Sequence, residues 1–494
     1  MTDRIEALYR AAAYPPESFS YAGPDACLAA VEDLAARLPA AAGAAIRDKV
    51  RAFAAAGASD YALWKGVRDL ITQAAAQGMG DLITTHNARL TDAPFAAFAE
   101  ALAGAGDRTV LFVANKPYFA ILRQALHLKD QGWRPFLACV EPIPADLAAP
   151  FADAFGAVVD CHGNMGLVGR LLGRLRPAVI HVQCWMWSYH LARLVMEQAR
   201  GVPVVCEFYD VTSCYAPRDA LVTNWPADRV DLDLAMEGHI LRHADAVITR
   251  FVDPVPDVLR QRHGAPDARI LRFWPYPCPA FSHLDPVDRP SATDGVLRLV
   301  YAGGVFPLAA DHPPGLFPGF GQLGAIRRLL AQGLKVDVLH DPHRPVEPRD
   351  PSLKDYYDLM DAGSGFRIMN GVGPDRVAER LAAYDFGLIL FDLYPDRMMV
   401  APELLRDGIG TKLFTYLEAG LPILVNAEYE AMARLIEDNG LGLAVTTADI
   451  GAVAPRLRAA DPTALAANVR AYCREHGMDR HIGELTGVYE AVMG

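Results

Sequence analysis

Apolar positions change their spacing along the chain near residue 105. Before that point they recur at helical intervals, and two amphipathic stretches stand out at 29–38 and 61–75. From Thr109 onward the apolar residues gather instead into short unbroken runs at 109–114, 135–140, 157–160, 178–182, 203–206 and 246–249. Most are separated by helix-length segments, such as the amphipathic helix expected from about Tyr118 to Asp130. Unbroken apolar strands alternating with helices predict a parallel sheet covered on both faces. The proline-dense segment 274–279, followed by Asp285-Pro286 and Arg289-Pro290, interrupts the alternation and reads as an interdomain linker. Strand-like runs then resume at 297–302, 334–339, 366–369, 386–391, 422–425 and 442–445. The expected architecture is α/β: two tandem doubly wound, Rossmann-like domains (106–285 and 286–494, the second closed by C-terminal helices) behind an α-helical N-terminal extension (1–105).

Composition narrows the class. The 494 residues are 52% apolar and 21% charged, which describes a globular chain. A net charge of −12 argues against a broad nucleic-acid-binding face. No apolar run approaches the ~18 residues of a membrane span, and the first residues lack the pattern of a secretory signal. The eight cysteines lie far apart without a CxxC pair, several of them inside apolar runs, so they read as reduced core residues. A cytoplasmic protein is expected.

The segment 407–425 is the most informative. A glycine-containing loop (Asp407, Gly408, Gly410) opens a short helix at Thr411-Lys412, which ends at Gly420 before the run 422–425. Free N–H groups at such a helix start attract anions, and Lys412, one of only seven lysines, adds a positive charge. Taken physically, the segment is either a phosphate site or an ordinary loop–helix–strand.

The same segment resembles the donor-binding region of GT-B glycosyltransferases of the group-1 type (family-4-like), whose pattern runs roughly K-L-x-E-Y-x-x-x-G-x-P-V. The stretch 297–304, ending in Gly303-Gly304, is similar to the first strand and glycine turn of that family's C-terminal domain. The stretch 374–388 resembles its helix and strand before the donor loop, and 244–249 a late strand of its N-terminal domain. The resemblance implies a GT-B arrangement and a nucleotide-sugar co-substrate held by the C-terminal domain, with the acceptor on the N-terminal domain. It implies no further cofactor and no metal, the leaving diphosphate being neutralised by helix dipole and basic side chains. Donor-side residues are then Gly303, Gly304, Asp407, Gly410, Thr411, Lys412, Thr415 and Glu418. The family's paired glutamates, eight apart, fall on Asp407 and Thr415. Glu418 lies three residues beyond Thr415 on a similar helix side. The arginine and lysine usual after the glycine turn are replaced by the apolar Val305-Phe306-Pro307.

On the acceptor side, His181 and Asp210 fall near expected strand ends. They are the candidates for the general base that an inverting transfer needs. Asn115, Lys116 and Trp185 are candidate acceptor contacts. Asp231-Leu232-Asp233 has the letters of a DxD metal motif but opens an expected helix, and His340-Asp341-Pro342-His343 is a weak metal pattern. The expected partners are a nucleotide-sugar and a saccharide, lipid-linked or protein acceptor, with no nucleic acid. Residues 1–105 are available for a protein partner or self-association. Two other readings keep the fold: a nucleotide-sugar epimerase, or a non-catalytic binding or scaffold protein.

Overall fold

The structure is a computed structural model of the chain and describes residues 2–14, 32, 35–55, 80–305, 321–342, 346–393 and 398–494. The amphipathic stretch 61–75, most of 29–34, the apolar Phe306-Pro307 and His343 lie outside the described residues.

Among the described residues there are thirteen strands; twelve occupy the expected runs, and the short strand at 270–272 lies outside them. β1 (Thr109–Ala114), β2 (Arg134–Cys139), β3 (Val158–Asp160), β4 (Val179–Cys184), β5 (Val204–Phe208), β6 (Ala246–Thr249) and β7 (Ile270–Arg272) form one sheet, ordered β3-β2-β1-β4-β5-β6-β7. β8 (Arg298–Ala302), β9 (Lys335–His340), β10 (Phe366–Asn370), β11 (Phe386–Ile389), β12 (Ile423–Asn426) and β13 (Gly442–Val445) form the other, ordered β10-β9-β8-β11-β12-β13. Strand pairing is parallel, with Ala114 opposite both Cys139 and Gln183 in the first sheet and Ala302 opposite Leu339 in the second. Strands covered on both faces are mostly apolar, and all six residues of β1 and of β4 are buried, the polar His181 and Gln183 of β4 included. The order 3-2-1-4-5-6 recurs in both sheets. Its switch point lies between β1 and β4 in one and between β8 and β11 in the other, where open α/β sheets bind ligands beyond the strand C-termini.

The chain divides into two compact units. The first comprises Met1–Phe208, Ala235–Val247 and Tyr489–Gly494; the second comprises Tyr209–Leu234 and Ile248–Val488. In the first unit the described N-terminal residues are helical, at Asp3–Ala13, Ala40–Ala55 and Gly80–Ala103. The Asp3–Ala13 helix docks on the His190–Gln198 helix: Tyr9 donates to Glu197 (2.8 Å), Arg193 pairs with Glu6 (2.8 Å), and the Arg193 guanidinium lies 3.7 Å from the Tyr9 ring centre. That end of the extension is therefore part of the first unit's packing.

The segment expected to be an interdomain linker is packed into the second unit. Residues 273–278 lack regular structure, as proline demands, but Phe273, Tyr276, Cys278 and Phe281 are buried in the second unit. Their backbone is tied down as well. Cys278 N–H donates to the Glu418 carboxylate (2.8 Å), His283 N–H to the Glu418 carbonyl (2.7 Å), and Met478 N–H to the Pro277 carbonyl (2.7 Å). Prolines forbid a helix or strand here but do not forbid burial.

Candidate functional site

In the second unit the chain leaves β8 through Gly303, whose φ of +135° is accessible in practice only to glycine. Gly303 N–H donates to the Leu339 carbonyl (2.8 Å), and the Tyr301 hydroxyl donates to the Gly304 carbonyl (3.3 Å). The helix Thr411–Glu418 points its N-terminus into the same place, with Gly410 as N-cap and no side chain capping the first N–H groups. Tyr416 fixes this alignment. Its buried hydroxyl accepts from Ala302 N–H (2.9 Å) and donates to the Leu388 carbonyl (2.9 Å), pinning the helix to the end of β8. Gly387 in β11 makes room for that ring, since a Cβ there would fall 2.5 Å from Tyr416 Cγ.

Lys412 then lies against the glycine turn. A Cβ on Gly303 would fall 2.8 Å from Lys412 Cε and 3.2 Å from Nζ, so the missing side chain at 303 is what admits the ammonium. Nζ also lies 5.4 Å from the Tyr301 ring centre. Among the described residues Lys412 makes no ion pair. The Tyr301 phenol beside it, with Tyr209 beyond, holds its pKa above the ordinary lysine value, while burial and the Arg250 guanidinium act the other way. The side chain stays charged at neutral pH, half-buried at a helix N-terminus whose dipole opposes it. An anion at this point satisfies the ammonium and the helix end together.

Around this core the structure assembles residues that sequence reasoning passed over. Arg250, just after β6, donates to the Tyr209 carbonyl (2.7 Å), to Asp210 Oδ1 (2.8 Å) and to the Ile409 carbonyl in the loop that precedes Lys412. The Tyr209 hydroxyl is 3.1 Å from Thr411 Oγ1. No local pattern marks Arg250, because the groups it joins lie 40 and 159 residues away in sequence.

The other candidates fall as follows. Gly303, Gly304, Gly410, Thr411 and Lys412 are brought together. Asp407 is buried at 2% exposure, ion-paired to Arg406 (2.8 Å), with its carbonyl accepting from Val252 N–H. Thr415 is half-buried on the Thr411–Glu418 helix. Glu418 departs from expectation. It is fully buried and its carboxylate holds Cys278 N–H, so it is tied to the 273–283 segment and cannot stand in for the carboxylate that Thr415 lacks. Asp210 sits in the second unit, bound to Arg250.

His181 also departs from expectation. It is the third residue of β4, fully buried and stacked on Phe112 (4.7 Å between ring centres). Nδ1 meets the Tyr489 hydroxyl (2.6 Å) and Nε2 the Glu207 carboxylate (3.2 Å), so it is a structural histidine. Also in the first unit, Asn115 Nδ2 donates to Glu141 (3.4 Å) and Lys116 is exposed. Trp185 is half-buried, with Nε1 donating to Gln183 (3.1 Å) and its ring edge-on to Tyr118 (4.8 Å). The DxD letters are structural: Asp233 accepts from Thr212 (2.6 Å) and Asp231 pairs with Arg218 (2.6 Å). No cluster of three metal-ligating side chains occurs among the described residues. Nor is any described helix long and apolar enough to cross a membrane.

No family model matches the sequence, and no curated protein matches it. Solved structures do match. The O-GlcNAc transferase of Thermobaculum terrenum is 13% identical with a TM-score of 0.51, covering 100% of this chain and 98% of that one. HepE of Anabaena, solved in complex with UDP, is 13% identical with a TM-score of 0.50, covering 77% of this chain and 98% of that one. With two sheets of order 3-2-1-4-5-6 and these neighbours, the chain has the GT-B fold: two tandem Rossmann-like domains with a helical N-terminal extension.

Proposed function

We propose that this chain is a glycosyltransferase, related to the group-1, family-4-like enzymes. It moves a sugar from a nucleotide-sugar to a hydroxyl of a saccharide, a lipid-linked glycan or a protein. The observation that carries this reading is the Lys412 ammonium, seated against the Gly303 turn at an uncapped helix N-terminus. A leaving nucleoside diphosphate develops negative charge as the C1–O bond to phosphate breaks, and preorganised donors aimed at that charge lower the barrier. Lys412 and the N–H groups of the Thr411–Glu418 helix supply them, so the step needs no metal. Arg250 holds the loop that carries them. Thr415 takes the place from which the family grips ribose, and a hydroxyl grips it more weakly than a carboxylate. In an inverting transfer Asp210 takes the acceptor proton as its oxygen attacks C1; its anchorage to Arg250 fixes its position. Asn115, Lys116 and Trp185 are the proposed acceptor contacts. The reading also takes the protein to be cytoplasmic, in keeping with seven buried cysteines outside any disulfide among the described residues.

The test is calorimetric titration with UDP and the other nucleoside diphosphates. Lys412→Ala is expected to weaken binding tenfold or more, following the ~1.5–3 kcal/mol of a hydrogen bond to a charged group. Unchanged affinity removes Lys412 from the site. Nucleoside diphosphate release that depends on acceptor supports transfer, whereas interconversion of free sugar nucleotides supports the epimerase reading. Failure of every sugar nucleotide to raise the melting temperature supports a non-catalytic role.

A further inference from the structure

A cavity of about 310 Å³ lies in the second unit, lined by Arg272, Trp274, Tyr276, Tyr472, His476 and His481 with Leu435, Asn439 and Glu484. It shares no lining residue with the Gly303–Lys412 site. Its size falls at the lower end of the ~300–1,000 Å³ of small-molecule pockets.

Its walls are aromatic and its polar groups are unbalanced. Tyr276 stacks on His481 (3.8 Å between centres, 4° between planes), His481 on His476 (5.9 Å, 14°), and His476 is tilted against Tyr472 (4.4 Å, 35°). Trp274 lies 5.9 Å from Tyr276, and the Arg272 guanidinium lies 5.6 Å from the Trp274 ring centre. Among the described residues Arg272 forms its ion pair with the exposed Asp253, at 3.6 Å. The single carboxylate of the lining, Glu484, is already 2.8 Å from His481 Nδ1, and the Asn439 amide donates to the Leu435 carbonyl (2.8 Å). Trp274 Nε1 and His481 Nε2 are covered and have no hydrogen-bond partner among the described residues. Burial pushes both the Tyr276 and the Tyr472 phenol up, so each keeps its proton.

Indole N–H and guanidinium donate and never accept. The covered Trp274 Nε1–H and the Arg272 guanidinium therefore offer donors that a ligand with acceptor oxygens and negative charge satisfies. Aromatic walls add the second requirement, a flat ring. We propose that this cavity binds a small oxyanion carried on a flat ring, a carboxylate or a phosphate ester. The Arg272 guanidinium and Trp274 Nε1–H take the oxyanion, and Tyr276 and the histidine stack take the ring.

Calorimetric titration of the full chain with benzoate, phenyl phosphate, inorganic phosphate and benzyl alcohol tests it. Benzoate or phenyl phosphate is expected to bind, and the tighter of the two identifies the oxyanion. Benzyl alcohol, which keeps the ring and lacks the charge, is expected to bind at least about tenfold more weakly, as is inorganic phosphate, which lacks the ring. Arg272→Ala and the ring-preserving Trp274→Phe are each expected to weaken the ring oxyanion about tenfold, while Lys412→Ala leaves its affinity unchanged. The proposal is overturned if neither ring oxyanion binds, if benzyl alcohol or inorganic phosphate binds as well, or if both cavity variants bind like the parent. Loss of the ring oxyanion in Lys412→Ala assigns it to the diphosphate site and overturns the proposal too, without touching the transferase reading.

Discussion

At the switch point of the seven-stranded sheet, β4 carries His181, and each of its ring nitrogens has a partner: the Tyr489 hydroxyl and the Glu207 carboxylate. Glu207 in turn receives Gln124 Nε2 at 3.0 Å. At the corresponding point of the six-stranded sheet, β8 opens into Gly303, and Lys412 arrives there with a positive charge and no carboxylate to meet it among the described residues. The two sheets share one strand order, yet one edge spends its polar groups on each other and the other keeps a charge unspent. A network closed on itself gives stability and specificity of packing. An uncompensated cation beside open N–H groups costs stability and is repaid by a ligand. Topology alone therefore does not distinguish the two regions; their hydrogen bonds do.

The largest expected effect tests whether a carboxylate in the second unit does chemistry in spite of its anchorage. Asp210→Asn is expected to lower turnover by about 10²–10⁴-fold, the scale of a lost general base, with nucleoside diphosphate affinity retained. Steady-state kinetics beside calorimetry separate the outcomes. If affinity falls in step with turnover, Asp210 acts by holding Arg250, and the base lies elsewhere.

Next is the closed network. His181→Ala empties a buried ring site and takes a partner from the buried Tyr489 hydroxyl, so the loss in unfolding free energy is expected to be about 2–4 kcal/mol. Chemical denaturation reads it directly. Lys412→Ala in the same assay is expected to leave ligand-free stability unchanged or slightly raised, since it removes a cation that opposes the helix dipole. Equal losses in the two variants would erase the contrast between the edges.

The smallest effect concerns a carboxylate in the first unit, Asp160, which accepts a backbone hydrogen bond and lies 4.0 Å from the His162 imidazole. Burial raises Asp160 to about 6, opposed by the hydrogen bond from His162 N–H. A folded-state pKa above the unfolded value means stability is full below about pH 4 and declines as pH rises toward 6. Asp160→Asn keeps the acceptor oxygen and removes the charge. It is expected to raise stability at pH 7 by the order of 1 kcal/mol, discounted for partial exposure, and to leave stability at pH 4 nearly unchanged. A gain of the same size at both pH values would place its cause outside ionisation.

Sequence by itself determined what depends on neighbours along the chain. Burial on both faces makes most of a strand apolar, and the runs from 109 to 445 mark twelve of the thirteen strands described. Gly410, Thr411 and Lys412 are consecutive, so the helix start and its charge were legible in local pattern, as was the helix end at Gly420, whose φ is +60°. Tertiary structure decided which residues share a place. His181 looked like a base because its partners, Glu207 and Tyr489, are 26 and 308 residues away. Glu418 looked like a ligand for ribose because nothing nearby shows that Cys278, 140 residues earlier, brings it a buried N–H to satisfy. Arg250 and Tyr301 gained their roles only when the chain carried them to Ile409 and Lys412. Helix and strand periods are set over a few residues, but a buried polar group is satisfied by whatever the fold brings within ~3 Å, and sequence distance places no limit on that.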